Sequence, residues 1–216
     1  MVAVIGQEPV LSPDDLLAAA AVSRAALESA LDRDWSVRAG DLEWSCRQTL
    51  DHIVDALIYY AGNLATRSTE RRSSPVVDTT DRPVAVALTM LETAAAILAE
   101  VVRAAPPGAR GFHAAGMADA SGFVAMGCGE TLIHSDDIAR GLGIALRPPA
   151  DLAGRVCFRL FPWAPTDVDA WDALRWAAGR TELPAHPRLG PDWGWHCAPL
   201  AEWDGTMAKA KWPVSR

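Results

Sequence analysis

The chain is short of positive charge. Its 20 lysines and arginines stand against 27 aspartates and glutamates, a formal net charge of −7 over 216 residues. With no basic stripe there is no electrostatic footprint for nucleic acid, and nothing to draw the chain onto an anionic membrane. The four cysteines, Cys46, Cys128, Cys157 and Cys197, are scattered and form no CxxC pair. That excludes a zinc knuckle and a disulfide framework, so a reducing, cytoplasmic setting is expected. No uncharged apolar run approaches the roughly 20 residues of a transmembrane helix. The opening MVAVIGQEPVLSPDD lacks a basic region followed by an apolar stretch, so no secretory signal is expected. Internal repeats and a glycine-rich phosphate loop are missing too.

What is present is helical periodicity. Half of the residues are hydrophobic and 22% are charged, enough to bury the core of one domain, with or without an appendage. Ser12, Pro13, Asp14 and Asp15 open a first helix, with serine at the N-cap, proline at the first helical position and acids at the positive dipole end. Leu16, Leu17, Ala20, Leu27 and Leu31 carry it to about Asp32. After a loop from Asp34 to Trp44, Ser45 and Gln48 form a capping box. The second helix then shows an apolar stripe of Leu50, Ile53, Val54, Leu57, Ile58, Ala61 and Leu64.

The stretch from Thr66 to Pro83 is polar and rich in breakers, hence a loop. A third helix runs from Val84 to Ala104, and the segment from there to Gly122 reads as a long linker. A fourth spans about Phe123 to Gly141, stopped by Gly141 and Gly143 with Pro148 and Pro149 beyond. Two shorter apolar segments, Leu152 to Trp163 and Val168 to Arg180, precede a tryptophan-rich end. The pattern predicts an all-α fold: an antiparallel four-helix bundle over residues 1–145 and a smaller helical or irregular extension over 146–216 packed on it.

Two of these helices have an unusual second side. In GETLIHSDDIARGLG, Gly129 to Gly143, the residues Glu130, His134 and Asp137 fall on one face, opposite Cys128, Thr131, Leu132 and Ile138. That face has Arg140 at its edge and no lysine, so it is a poor solvent face. On the second helix His52 faces away from the leucines, together with Gln48, Asp55 and Tyr59. If the two sides meet, His52, Glu130 and His134 supply two imidazoles and a carboxylate to a divalent metal, leaving a coordination position open. The i, i+4 spacing places two donors on adjacent turns, and Asp55 and Asp137 stand one turn away to orient the imidazoles. On pattern alone, Glu130 with His134 is more often a surface i, i+4 pair, and His52 between Asp51 and Asp55 is usually a solvated histidine.

The combination resembles a family. DRDWSVRAGDLEWSCRQTLDHIVDAL, Asp32 to Leu57, followed by CGETLIHSDDIARGLG, is similar to the N-terminal domain of mycothiol-dependent maleylpyruvate isomerases, within the DinB-like superfamily of metal-binding four-helix bundles. Trp44, His52, Glu130, His134, Asp137, Ile138 and Gly141 occupy the places of that family's pattern. The resemblance implies a divalent metal on His52, Glu130 and His134, typically zinc, with nickel, manganese or iron as alternatives. It also implies a low-molecular-weight thiol at the open position: mycothiol, bacillithiol or glutathione. The metal lowers the thiol pKa, and the thiolate adds to a small electrophile, giving isomerisation in one branch and S-transfer in the other. The final 70 or so residues do not align with the isomerase's second domain, so maleylpyruvate is not carried over as the substrate. A glutamate in the middle position also sets the sequence apart from the sulfoxide synthases, whose iron is held by three histidines.

Several other residues invite roles. Arg47 and Arg140 are candidates to meet thiol carboxylates, or equally plain surface charges. His113, just before the fourth helix, is a fourth ligand, an acid–base group or a plain loop histidine. His196 and Cys197 are sequence neighbours and point to opposite sides of an extended chain, which disfavours a catalytic pair. Cys128 reads as a buried small hydrophobe. Trp193, Trp195, Trp203 and Trp212 either staple the tail to the bundle or wall a pocket over the metal. The competing functions are a hydrolase or lyase using metal-bound water and a non-catalytic bundle that binds a partner or ligand. The expected partners are a small-molecule thiol and an electrophilic substrate, with no nucleic acid and no membrane, in a monomer or homodimer.

Overall fold

A computed structural model describes residues 11–73 and 76–210. Over these the chain is mostly helical, with six α-helices, a two-stranded sheet and one 3₁₀ turn. In chain order they are α1 (Pro13–Glu28), α2 (Cys46–Thr66), α3 (Val84–Ala104), β1 (Arg110–His113), β2 (Gly116–Asp119), α4 (Ala120–Leu142), α5 (Ala150–Leu160) and α6 (Ala170–Ala177), then the 3₁₀ turn Leu200–Glu202.

The boundaries follow capping chemistry. At α1 the Ser12 N–H donates to Asp15 Oδ2 at 2.8 Å. At α2 the capping box is reciprocal: Gln48 N–H donates to Ser45 Oγ at 3.1 Å, and Ser45 N–H donates to Gln48 Oε1 at 2.9 Å. Asp119 caps α4 by accepting from Gly122 N–H at 2.8 Å, and left-handed Gly143 (φ 68°) ends it. The first helix stops at Glu28, short of the expected Asp32, and Leu31 is 41% exposed beyond its end. A leucine at helical spacing had no core to face there.

α1 and α2 each pack on α3 and α4, and α5 packs on α4 and α6. Leu16, Leu27, Leu50, Ile53, Leu57, Leu88, Leu91 and Leu98 are fully buried between them, each worth roughly 1.5–3 kcal/mol of apolar transfer. α3 alone among the described residues is long and apolar enough to cross a membrane, with mean hydropathy 1.8; its Leu88, Leu91 and Leu98 lie in this core. α4 is buried on nearly every side from Gly122 to Ala139. That accounts for its small residues and its lack of lysine, and it means that its acids and imidazole had to be satisfied internally.

The expected linker between α3 and α4 is instead a β-hairpin. β1 and β2 pair antiparallel, with Arg110 opposite Asp119 and Phe112 opposite Met117. Small residues dominate this segment, so its alternation is faint. The hairpin is held from outside, because Phe112 N–H donates to the Ser68 carbonyl at 2.7 Å, just past α2.

The segment after α4 folds back along it. Arg159 of α5, only 4% exposed, donates to Ser121 Oγ at 2.8 Å, to Asp119 Oδ1 at 2.6 Å and to the carbonyl of Ala198 at 2.9 Å. One guanidinium thereby joins α5, the start of α4 and the tail. Gly122 sits at this junction, where a Cβ would come within 2.0 Å of the Cys197 carbonyl oxygen. Gly122→Ala therefore forces the tail backbone away from α4 and is expected to lower stability by about 1–3 kcal/mol. In urea titration this appears as a lower midpoint at unchanged slope.

Candidate metal centre

The leucine stripe of α2 turns His52, Asp55 and Tyr59 toward α4, and the register of α4 turns Glu130, Ile133 and His134 toward α2; all six line one cavity. Glu130 Oε2 lies 3.1 Å from His134 Nε2 and 3.5 Å from His52 Nε2. The two imidazole rings stand perpendicular, with centroids 5.0 Å apart, and one donor atom from each of the three residues falls within 4.8 Å of the others. The other carboxylate oxygen, Oε1, accepts the Tyr60 hydroxyl at 2.9 Å. The Trp44 ring lies against His52 with centroids 4.8 Å apart.

Electrostatics sharpen the cluster. Burial pushes the Glu130 carboxyl upward, but hydrogen bonds and charge from His134 and His52 outweigh it and hold the group well below its usual range. The His134 imidazole loses basicity to burial and regains more from Asp137 and Glu130, reaching about 9. Tyr60 is pushed well above its ordinary value by burial and by the Glu130 charge, so its hydroxyl stays a donor. Asp137, with no exposed side-chain surface, places Oδ2 at 3.2 Å from His134 Nδ1 and is held far below its normal pKa by His134 and Arg180 despite burial.

The donor set suits a divalent cation. The two carboxylate–imidazole separations are those of two ligands sharing one small ion at about 2.0–2.2 Å from each. Imidazole with carboxylate matches zinc, iron(II) and their neighbours. The buried carboxylate, fixed from behind by Tyr60, turns its free oxygen to the two imidazoles, where a cation could be shared by all three.

Other expected residues lie elsewhere. Asp55 lines the cavity, yet its Oδ1 accepts the Val77 N–H at 2.6 Å, so it anchors the α2–α3 loop instead of orienting His52. Burial raises its pKa, and it feels His52 only through space. Arg47 is buried and donates to the carbonyls of Thr79 and Arg82, and Arg140 is committed to Asp137, Asp136 and Asp41. Neither arginine lines the cavity; their direction off the helix, invisible in spacing, takes them to the loop and to the acids. His113 lines the cavity, but it stands apart from the three-donor cluster. Its Nδ1 accepts the Ala115 N–H at 3.0 Å, and burial lowers its pKa to about 4.

The cavity above the donors measures about 460 Å³. Trp44, Tyr59, Phe112, Phe161, Trp193 and Trp195 give it an aromatic wall, with Arg71 and Arg180 as its cations. Trp193 and Trp195 thus act as wall. Trp203 instead packs 6.4 Å from Trp163 and donates Nε1–H to the Thr206 carbonyl at 2.8 Å. Trp212 lies outside the described residues. Tyr60, Arg71, Phe161 and Arg180 are cavity residues that sequence reasoning missed; only Tyr60, one position from the polar face of α2, carried a readable signal.

All four cysteines are buried and unpaired. His196 Nε2 meets the Pro199 carbonyl at 3.0 Å and Cys197 is pushed up to about 11 by burial, so the neighbours share no chemistry. Burial likewise raises Cys46 to about 11 and Cys157 to about 12, and drives Cys128 further still.

The family model of the DinB superfamily matches residues 15–138, from the first turn of α1 into the last turns of α4. The chain belongs to the DinB superfamily. The matched stretch carries His52, Glu130, His134 and Asp137 of this DinB-superfamily chain, and it ends before Arg180, Trp193 and Trp195. No curated protein and no solved structure matches the chain significantly.

Proposed function

We propose that this protein is a divalent-metal enzyme that activates a low-molecular-weight thiol for S-transfer to, or isomerisation of, a small electrophile. In this reading α1–α4, within residues 1–145, form the four-helix bundle that holds the metal on His52, Glu130 and His134. The extension from residue 146 covers it. Zinc is the first choice of ion, and mycothiol or a similar thiol the co-substrate. A reducing, cytoplasmic setting accords with four free cysteines.

The observation that supports this most is the meeting of two imidazoles and a carboxylate beneath an aromatic cavity large enough for an organic ligand. When bound there, a divalent cation supplies a Lewis acid that lowers the pKa of a coordinated thiol. The protein's own part is positioning. Tyr60 fixes one oxygen of Glu130, Asp137 fixes His134 Nδ1, and Trp44 packs on His52, so the donors are aimed before any ion arrives. The indoles and phenyl rings shed water and offer flat surfaces to a conjugated substrate. Arg71, which has no ion-pair partner among the described residues, presents a positive charge to an anionic substituent.

The test is a thiol titration of cobalt-substituted protein. Mycothiol, bacillithiol or glutathione is expected to add a sulfur-to-cobalt charge-transfer band in wild type and none in His52→Ala. Turnover of electrophiles that needs no thiol would instead assign the chemistry to metal-bound water.

A further inference from the structure

We propose that Arg180, from the turn after α6, is a positioning residue of the metal centre that holds His134 in place through Asp137. This rests on His52, Glu130 and His134 being the ligands. The Asp137 carboxylate is shared: Oδ2 lies 3.2 Å from His134 Nδ1 and 2.7 Å from Arg180 Nη2, while Arg180 Nε reaches Oδ1 and Oδ2 at 3.1 and 3.2 Å. The guanidinium therefore spans both oxygens and fixes the plane of the carboxylate that the imidazole meets.

Arg180 is itself immobilised. Its Nη1 donates to the Ala178 carbonyl at 2.8 Å, its Cζ sits 5.7 Å from the centre of the Trp193 ring, and its side chain is 8% exposed. The turn that delivers it uses Gly179 at φ 70°, where a Cβ would stand 2.7 Å from Trp193 Cδ1. Arg140 also touches Asp137, but it divides itself among Asp136 and Asp41 and is 27% exposed. Arg180 is thus the firmer of the two cationic anchors. An imidazole whose Nδ1 is held by an oriented carboxylate presents Nε2 in a fixed direction, here toward Glu130. The residue that does this lies beyond the stretch that matches the DinB superfamily, so the extension completes the centre as well as roofing it.

The experiment compares Arg180→Met with Arg175→Met. Arg175 ties the same extension to α4 by Nε to Asp136 Oδ2 at 3.2 Å, without reaching His134. Zinc affinity is measured by competition with a chromophoric chelator, and the His134 Nδ1–H proton is followed by NMR in metal-free protein. Arg180→Met is expected to weaken zinc binding about 10–100-fold and to lose the Nδ1–H signal, while Arg175→Met changes neither. Should Arg180→Met not fold, Arg180→Lys keeps the charge but not the two-oxygen fork, and a weakening of the same kind is expected. In the Asp137→Asn background, Arg180→Met should add little, because both act along one path. Equal zinc weakening in the Arg180 and Arg175 variants, or a persistent Nδ1–H signal in Arg180→Met, overturns the proposal. If wild type binds no zinc, the ligand reading fails, and the NMR comparison still decides whether Arg180 holds His134.

Discussion

His52→Ala is expected to leave the purified protein with less than about a tenth of the metal carried by wild type, read by elemental analysis of untagged protein. Three donors on one ion make a chelate, and removing one imidazole costs both a bond and the closure of the ring of ligands. His52 is the informative choice because its side chain is 33% exposed and its one ion pair among the described residues is with Glu130, at 3.5 Å, so the fold itself should survive. The second reading is thermal. If zinc binds as proposed, at 100 times its dissociation constant it should stabilise wild type by about 2.7 kcal/mol, and that increment should vanish in the variant. His134→Ala should lose metal as completely but also destabilise the metal-free protein, since it strips a partner from Asp137. A wild-type protein free of metal, with the same stability as His52→Ala, would point instead to a non-catalytic bundle.

Asp137→Ala should be strongly destabilising, at about 3–5 kcal/mol. The carboxylate has no exposed surface and neutralises Arg180, which is almost as deeply buried, while also receiving Arg140 and His134. Alanine leaves the Arg180 guanidinium desolvated and unpaired, and that penalty exceeds the worth of the lost bonds. Asp137→Asn keeps the shape and one acceptor oxygen and should lose less. Urea midpoints of the three proteins, with far-UV circular dichroism to establish that each is folded, give the ranking. A loss below about 1 kcal/mol for Asp137→Ala would show that the acid is far less enclosed than its contacts imply.

The helices that carry the donors were readable because their signals are local. A capping box, a leucine every three or four positions and Gly143 past the end of α4 each act within a turn or two of chain. The spacing of Glu130 and His134 is of the same kind, since four positions along a helix bring two side chains together in any fold. The arrival of His52 was legible only as an oddity, a polar side on a helix that otherwise buries leucines. Whether it met Glu130 depended on how α2 turns against α4. The hairpin before α4 escaped notice because its strength lies in the bond from Phe112 to Ser68 and in burial, not in β-branched residues. Arg47 and Arg140 were placed near the chemistry by sequence position, whereas their long side chains reach other carbonyls and acids. Arg180 and the tryptophans beyond it come from segments with weak periodicity, and no rule of spacing ties position 180 to position 137.

The deep placement of the four sulfhydryls has a consequence for the proposed chemistry with electrophiles. Being protonated at neutral pH and shielded from solvent, they are poor targets for alkylation, so reactive compounds entering the aromatic cavity should leave the polypeptide unmodified. A thiol reagent such as Ellman's disulfide would then register no sulfhydryl in the native molecule and all four on denaturation, turning the cysteines into a clock for global opening.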